Sequence, residues 1–93
     1  MNKSDLVDAI ADKAEVTKKQ ADIVVTAMLE VITESVAKSD KVTLVGFGNF
    51  EARTRKAREG RNPKTGTKMN IPATRVPAFS PGKLFREKVS PHI

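Results

Sequence analysis

Apolar residues recur at helical spacing from the start of the chain. Asn2, followed three positions later by Asp5, has the pattern of a capped helix start. The apolar positions that follow repeat every three or four residues, at Leu6, Val7, Ile10 and Ala14. The pattern predicts an amphipathic helix over residues 1–16. The acidic residues of this segment fall on a different, solvated face.

A longer helix is predicted directly after the first. Thr17 and Gln20 form a second capping box, and the run after them stays helical to about Lys38. Its apolar residues cover a wider stripe than a surface helix needs: Ala21, Val24, Val25, Met28, Leu29, Val31, Ile32 and Val36. Two neighbouring surfaces must therefore bury this helix, and a second subunit is one candidate. A chain of 93 residues has little room for a private core, which also favours oligomerisation.

Alternation typical of strands begins after a turn at residues 38–40. Residues 41–45 alternate and include β-branched residues, which predicts a half-buried strand. Gly46 and Gly48 predict a turn. Residues 49–58 then predict a second strand whose arginines point outward.

The next segment predicts a ribbon that returns to the body. Residues 59–66 have no apolar side chain apart from proline and are rich in turn formers, so we expect the tip there. Residues 67–79 can return as a strand, although Pro72 and Pro77 each remove a ladder donor and require an edge or an interruption. The pair is expected to form a twisted two-stranded ribbon.

A short basic helix is predicted at the end, with Ser80 as its cap and Pro81 at its first position. The four phenylalanines lie at or beside the predicted sheet, and a shared core is favoured over base stacking: Phe47, Phe50, Phe79 and Phe85. The predicted fold class is α+β, with a helical base and a small antiparallel sheet extended into a β-ribbon arm.

Positive charge is concentrated in the predicted ribbon. Residues 1–50 carry a net charge of −2, and residues 51–93 carry +8. The ribbon has one acidic residue, Glu59, and eight basic ones: Arg53, Arg55, Lys56, Arg58, Arg61, Lys64, Lys68 and Arg75. Such a field attracts nucleic acid through phosphate contacts and counterion release. A solvated basic loop is the alternative.

Residue patterns for catalysis or cofactor binding are not found. The chain has no Cys and one His, His92, and the carboxylates near the ribbon occur singly. Gly60 and Gly66 are separated by five residues where a nucleotide-binding loop needs four. We therefore expect a protein that is not an enzyme and has no metal or cofactor. The sequence has no long apolar run and no signal-peptide pattern, so we expect no membrane span. The lack of Cys suits a cytoplasmic protein.

The chain resembles a known family over its whole length. The segment Gly46 to Thr65, GFGNFEARTRKAREGRNPKT, is similar to the signature of the bacterial histone-like HU and integration host factor family. The opening MNK, the VPAF return and the Gly82-Lys83 helix start are also similar to HU. The resemblance implies an intertwined homodimer with one domain, residues 1–93. Residues 1–52 and 76–93 would form the dimerisation body, and residues 53–75 the DNA-binding arm.

By this resemblance, the protein binds and bends double-stranded DNA through the minor groove with little sequence specificity. It would compact the bacterial chromosome in the nucleoid. HU and integration host factor are themselves standard examples of architectural proteins that insert apolar wedges between base steps. Pro63 is implied to be the wedge, with a preference for bent, nicked or mismatched duplex. Because Asn-Pro is also a common turn starter, the residues alone leave a plain turn proline open.

The DNA contacts expected beyond the eight ribbon cations are Asn62 and Pro63 at the tip, with Lys83 and Lys3 on the body. Lys83 at a helix start could hold a phosphate or be a plain solvated lysine. Three alternatives to HU-like binding stay open: a sequence-selective protein like integration host factor, an RNA-binding basic hairpin, and a cationic protein that binds any polyanion.

Overall fold

The computed structural model describes residues 1–91, so His92 lies outside the described residues. The α+β class is confirmed. The elements in chain order are α1 (Lys3–Ala14), α2 (Lys18–Ala37), β1 (Val42–Leu44), β2 (Gly48–Arg55), β3 (Arg58–Arg61), β4 (Lys68–Ile71), β5 (Thr74–Pro81) and α3 (Lys83–Val89). Contacts within the chain group residues 1–34 into one compact unit and the residues after them into a second.

Both predicted capping boxes form. The Asp5 amide donates to Asn2 Oδ1 at 2.9 Å, and the Asn2 amide donates back to Asp5 Oδ2 at 3.2 Å. At α2, the Gln20 amide donates to Thr17 Oγ1 at 3.1 Å, and the Thr17 amide donates to Gln20 Oε1 at 3.0 Å. Each box satisfies two amides that a helix start would otherwise leave unpaired, and an N-cap of this kind contributes about 1 kcal/mol.

The first unit has a small core and a large uncovered apolar surface. Val7, Ala11, Ala21 and Val25 are buried together, with Ile10 packed against them. Much of the remaining apolar surface of α2 is exposed, and Val24 is 65% exposed. We call this surface the uncovered α2 face: Ile23, Val24, Met28, Leu29 and Val31. A single chain therefore does not bury the wide stripe that the sequence predicts to be buried.

The second unit is built on a three-stranded antiparallel sheet in the order β1-β2-β5. The four phenylalanine rings cluster as predicted, with neighbouring ring centroids 4.8 to 6.0 Å apart, although none of the four is fully buried by its own chain. Phe79 lies at the centre of this cluster, in contact with the other three rings. Phe47 is 46% exposed, so these rings too are only partly covered by their own chain.

The predicted ribbon forms with one unbroken register. β2 pairs with β5 as far as Arg55 opposite Thr74, and β3 pairs with β4 from Arg58 opposite Ile71. Residues 56–57 and 72–73 lie between the two ladders, outside any strand. This ribbon gap includes Pro72, which confirms the expected interruption, and Pro77 lies in the edge strand β5, which confirms the other expectation.

Two boundaries of the ribbon were predicted wrongly. The second strand does not run unbroken over residues 49–58, because the gap divides it. Glu59, Gly60 and Arg61 were assigned to the tip, but they lie in β3. The continuing register pairs Gly60 with Met69, and this long-range pairing outweighs the local turn preference of glycine.

The start of α3 was also predicted wrongly. Ser80 and Pro81 belong to β5, and the N-cap is Gly82, which has no side chain to bond the helix start. Pro81 is tolerated because β5 is an edge strand. The Gly82 amide donates to the Phe47 carbonyl at 2.8 Å, so the chain between sheet and helix packs backbone against backbone.

Gly48 is a position where the fold has no room for a side chain. A Cβ there would lie 2.6 Å from the Phe79 ring and 2.6 Å from the Ser80 carbonyl oxygen. We expect Gly48→Ala to lower the free energy of unfolding by about 1–3 kcal/mol, as overpacking of a core does. Thermal unfolding measures this. Gly66→Ala is the control: both glycines have a positive φ that strains any side chain, but only a Cβ at position 48 would meet atoms within 4 Å, so equal stability of the two variants would contradict the prediction.

Candidate nucleic-acid interface

The ribbon brings the eight predicted cations onto one exposed element. Arg53 and Arg55 lie in β2, Arg58 and Arg61 in β3, Lys68 in β4 and Arg75 in β5. Lys56 lies in the ribbon gap and Lys64 at the tip. All eight side chains are exposed. Because the ribbon has few buried residues of its own, these charges face solvent along its length.

Five of these cations have no partner within the part of the chain that the structure describes. We call them the free cations: Arg55, Lys56, Arg58, Arg61 and Lys64. The acidic residue of the ribbon, Glu59, lies 4.0 Å from Lys68 Nζ, and both side chains are about 70% exposed. An ion pair this exposed contributes little, so Lys68 is also available to a polyanion.

Two arginines at the base of the ribbon are engaged within the chain. Arg53 donates to Glu51 Oε1 at 3.2 Å and to Ser80 Oγ at 2.6 Å. Arg75 donates to the Ala37 carbonyl at 3.4 Å and to the Ser39 hydroxyl. Sequence patterns did not predict these contacts. Their partners lie up to 38 residues away, and local patterns carry no signal for that pairing.

The tip is a tight turn that starts at Asn62. The Asn62 side chain accepts from the Lys64 amide at 2.9 Å, and the Asn62 carbonyl accepts from the Gly66 amide at 2.7 Å. Gly66 has φ 71°, a conformation that glycine adopts without strain. Within this turn Pro63 is exposed. The turn thus holds an apolar ring at the far end of a cationic ribbon.

The predicted body lysines lie in separate units. Lys83 is the first residue of α3, and its Nζ lies 3.9 Å from Glu87. The amides of Gly82 and Phe85 already donate to the carbonyls of Phe47 and Gly46, so neither of these two amides is available to a phosphate there. Lys3 donates to Thr26 Oγ1 at 2.9 Å.

No helix within residues 1–91 has the length and apolar character to cross a membrane.

Similarity to known proteins agrees with this geometry. A family model described as bacterial DNA-binding protein matches residues 1–90. The DNA-binding protein HU of Nostoc sp. is 76% identical over 91 residues, which cover 98% of this chain and 97% of the relative. An HU–DNA cocrystal structure from Anabaena has 75% identity and a TM-score of 0.90, with 99% of this chain and 100% of that chain covered.

A more distant solved structure has the same fold. HU from Thermotoga maritima is 37% identical, with a TM-score of 0.69, and the match covers 97% of this chain and 100% of that chain. Family model, sequence relatives and structural neighbours therefore agree over nearly the full length. The chain belongs to the HU family of bacterial DNA-binding proteins.

Proposed function

We propose that this protein is an architectural DNA-binding protein that binds and bends duplex DNA through the minor groove. The observation that carries the proposal is an exposed ribbon with five free cations and a proline at its tip. Membership in the HU family supports it, and so does the similarity to an HU–DNA complex. The protein would act without a chemical step, in the nucleoid of the cytoplasm, and would compact the bacterial chromosome.

The free cations are proposed to follow the groove and its phosphates, together with Arg53, Lys68 and Asn62. Lys83 and Lys3 would contact the flanking duplex. The B-form minor groove separates A·T from G·C pairs but offers a degenerate pattern otherwise, so arginine and lysine read mainly its width and charge. Little sequence specificity follows from such contacts. This is the reason to favour HU-like binding over the selective binding of integration host factor.

Pro63 is proposed to be the intercalating wedge. HU and integration host factor are standard examples of proteins that use an apolar wedge to unstack a base step and kink the duplex. The exposed ring of Pro63 has no apolar core to enter in its own chain. The stacked faces of DNA base pairs are apolar, so the Pro63 ring could be buried between them. A nicked or mismatched duplex has weaker stacking and is expected to bind better.

The assembly is proposed to be an intertwined homodimer. Residues 1–52 and 76–93 would form its body, and residues 53–75 its arm, within a single domain. The uncovered α2 face supports this proposal, because monomers rarely leave so many large apolar side chains of one helix exposed. A second copy is the natural occupant, since a twofold interface uses the same surface on both subunits.

The homodimer predicts a stability that depends on protein concentration. We expect the thermal midpoint to rise with concentration, because association stabilises only the folded state. Val24→Lys should lower the midpoint and weaken association, since it places a charge in the uncovered α2 face. Glu30→Lys, an exposed position on the same helix, is the control. Sedimentation that shows a stable folded monomer at about micromolar concentration would contradict the dimer.

Competition among polyanions tests the proposed function. Labelled duplex DNA would be displaced in parallel titrations by unlabelled duplex DNA, duplex RNA and heparin at one salt concentration. We expect duplex DNA to compete best, because A-form RNA presents a wide, shallow minor groove. Equal competition by RNA would favour an RNA-binding hairpin. Equal competition by heparin would favour indiscriminate binding of anions.

A further inference from the structure

Arg75 joins the arm to the end of α2. It lies in β5, opposite Thr54, at the base of the ribbon. Its Nη1 donates to the Ala37 carbonyl at 3.4 Å, and its Nη2 donates to the Ser39 hydroxyl. One arm side chain therefore contacts both the last residue of a helix and the turn that follows it.

Arg75 supplies a hydrogen-bond donor and a positive charge to the end of α2. The last carbonyls of a helix lack intrahelical donors and carry the negative end of its dipole, which favours a nearby cation. Backbone amides of the following turn donate to the carbonyls of Ser35 and Val36. Ala37 instead receives its donor from Arg75. The last turn of α2 contains no basic residue of its own, so Arg75 supplies the cation.

The conformation of Ser39 fits the same contact. Its φ is 64°, in the left-handed region that favours glycine at a helix end. A serine at this position carries a conformational penalty, but its hydroxyl provides the second acceptor for Arg75. The helix end and the guanidinium thus share two hydrogen bonds, and two bonds fix a direction better than one.

The neighbouring arginines make no such connection. Arg53 contacts Glu51 and Ser80, which both belong to the β2–β5 ladder, so it ties the two strands to each other. Arg55 is a free cation one rung further along the ribbon, where it pairs with Thr74. Among the arm cations of the described chain, Arg75 is the one that reaches a helix.

We propose that Arg75 is a positioning residue, which fixes the arm base against the last turn of α2, and that it does not act as a phosphate contact. An arm base held in one direction loses less freedom when it binds DNA, and this preorganisation increases affinity. The effect on DNA rests on the proposed function. The tether itself is a property of the free protein.

The tether can be tested without DNA. Backbone order parameters of residues 53–55 and 74–76 are expected to be near 0.85 in the parent protein, the value of a rigid backbone, and to fall by about 0.1 or more in Arg75→Ala. Arg55→Ala removes the same charge from the adjacent rung and should leave these values unchanged. Unchanged values in Arg75→Ala would overturn the proposal, whether or not the protein binds DNA.

The salt dependence of DNA binding separates positioning from direct phosphate binding. Arg75→Ala should weaken binding about threefold to tenfold, the range of one or two exposed hydrogen bonds, with the slope of log affinity against log salt unchanged. Arg55→Ala should make that slope shallower by about 0.9 for each phosphate that is no longer neutralised. An equal change of slope in both variants would make Arg75 a phosphate contact and overturn the proposal.

A second variant covers the case in which Arg75→Ala fails to fold. Ser39→Gly removes the hydroxyl acceptor, keeps every charge and suits the left-handed φ. It should lower the order parameters at the arm base in the same direction as Arg75→Ala, by a smaller amount. If Ser39→Gly is folded and leaves both the order parameters and the affinity unchanged, the tether does not position the arm.

Discussion

Replacing Arg58 and Arg61 by Ala is expected to cause a large loss of DNA affinity. Both are free cations of β3, near the end of the ribbon. Each phosphate contact contributes about 0.9 to the slope of log affinity against log salt, because a condensed counterion is released when the phosphate is neutralised. The slope should therefore become shallower by about 1.8 for each arm that contacts DNA.

A matched pair of lysines controls for the change in net charge. Lys13 and Lys19 are exposed residues of α1 and α2, outside the ribbon, and neither forms an ion pair within residues 1–91. Replacing both by Ala should leave the slope nearly unchanged. Titrations at four or more salt concentrations give the slopes. If the slope of the lysine variant falls as much as that of the arginine variant, the ribbon has no special role and total charge governs binding.

Pro63→Ala is expected to reduce bending while leaving the salt slope unchanged. If the ring enters the base stack, it offsets an unstacking cost of a few kcal/mol per step, and an alanine methyl is too small to do so. Energy-transfer distances across an end-labelled duplex should show a smaller bend. The preference for nicked over intact duplex should shrink as well, because that preference arises from unstacking.

The control for Pro63 must keep the tip turn and the charges. Thr67→Ala is suitable, because it alters an exposed residue beside the same turn and keeps both the Asn62 side-chain bond to the Lys64 amide and the Thr67 carbonyl that accepts from the Asn62 amide. It should bend DNA as the parent does. If Pro63→Ala also bends DNA and prefers nicked duplex like the parent, Pro63 is a turn residue and the arm acts through its charges alone.

Local signals in the sequence were enough for much of this fold. The two capping boxes each lie within four residues, and both helix starts are where those residues predict them. The alternation of apolar and polar residues likewise predicted the strands, and the concentration of positive charge predicted the cationic ribbon. The predicted boundaries are wrong where a residue distant in sequence determines the local structure. Gly60 has the turn preference of a tip residue, but its pairing with Met69 places it in a strand.

The same limit applies to the interface. Charge density identified eight ribbon cations, but it could not separate the free ones from those already bonded within the chain. In the sequence Arg55 and Arg75 are both simply arginines of the basic ribbon. Only the structure shows that Arg75 donates to Ala37 and Ser39. Likewise Ser80 has the pattern of a helix cap, yet its hydroxyl accepts from Arg53. Side chains that meet across about 30 residues leave no periodic pattern to detect.

The ribbon gap gives the arm a mechanical joint. Ladder hydrogen bonds stiffen both halves of the arm, so torsion concentrates in the few residues between them. Pro72 has no N–H, and the ladder cannot close fully at that position however near the strands approach. We therefore expect the outer half to twist about the arm axis while the inner half stays paired. Such a joint would let one protein bind duplexes of different curvature, because the protein as well as the DNA would then deform.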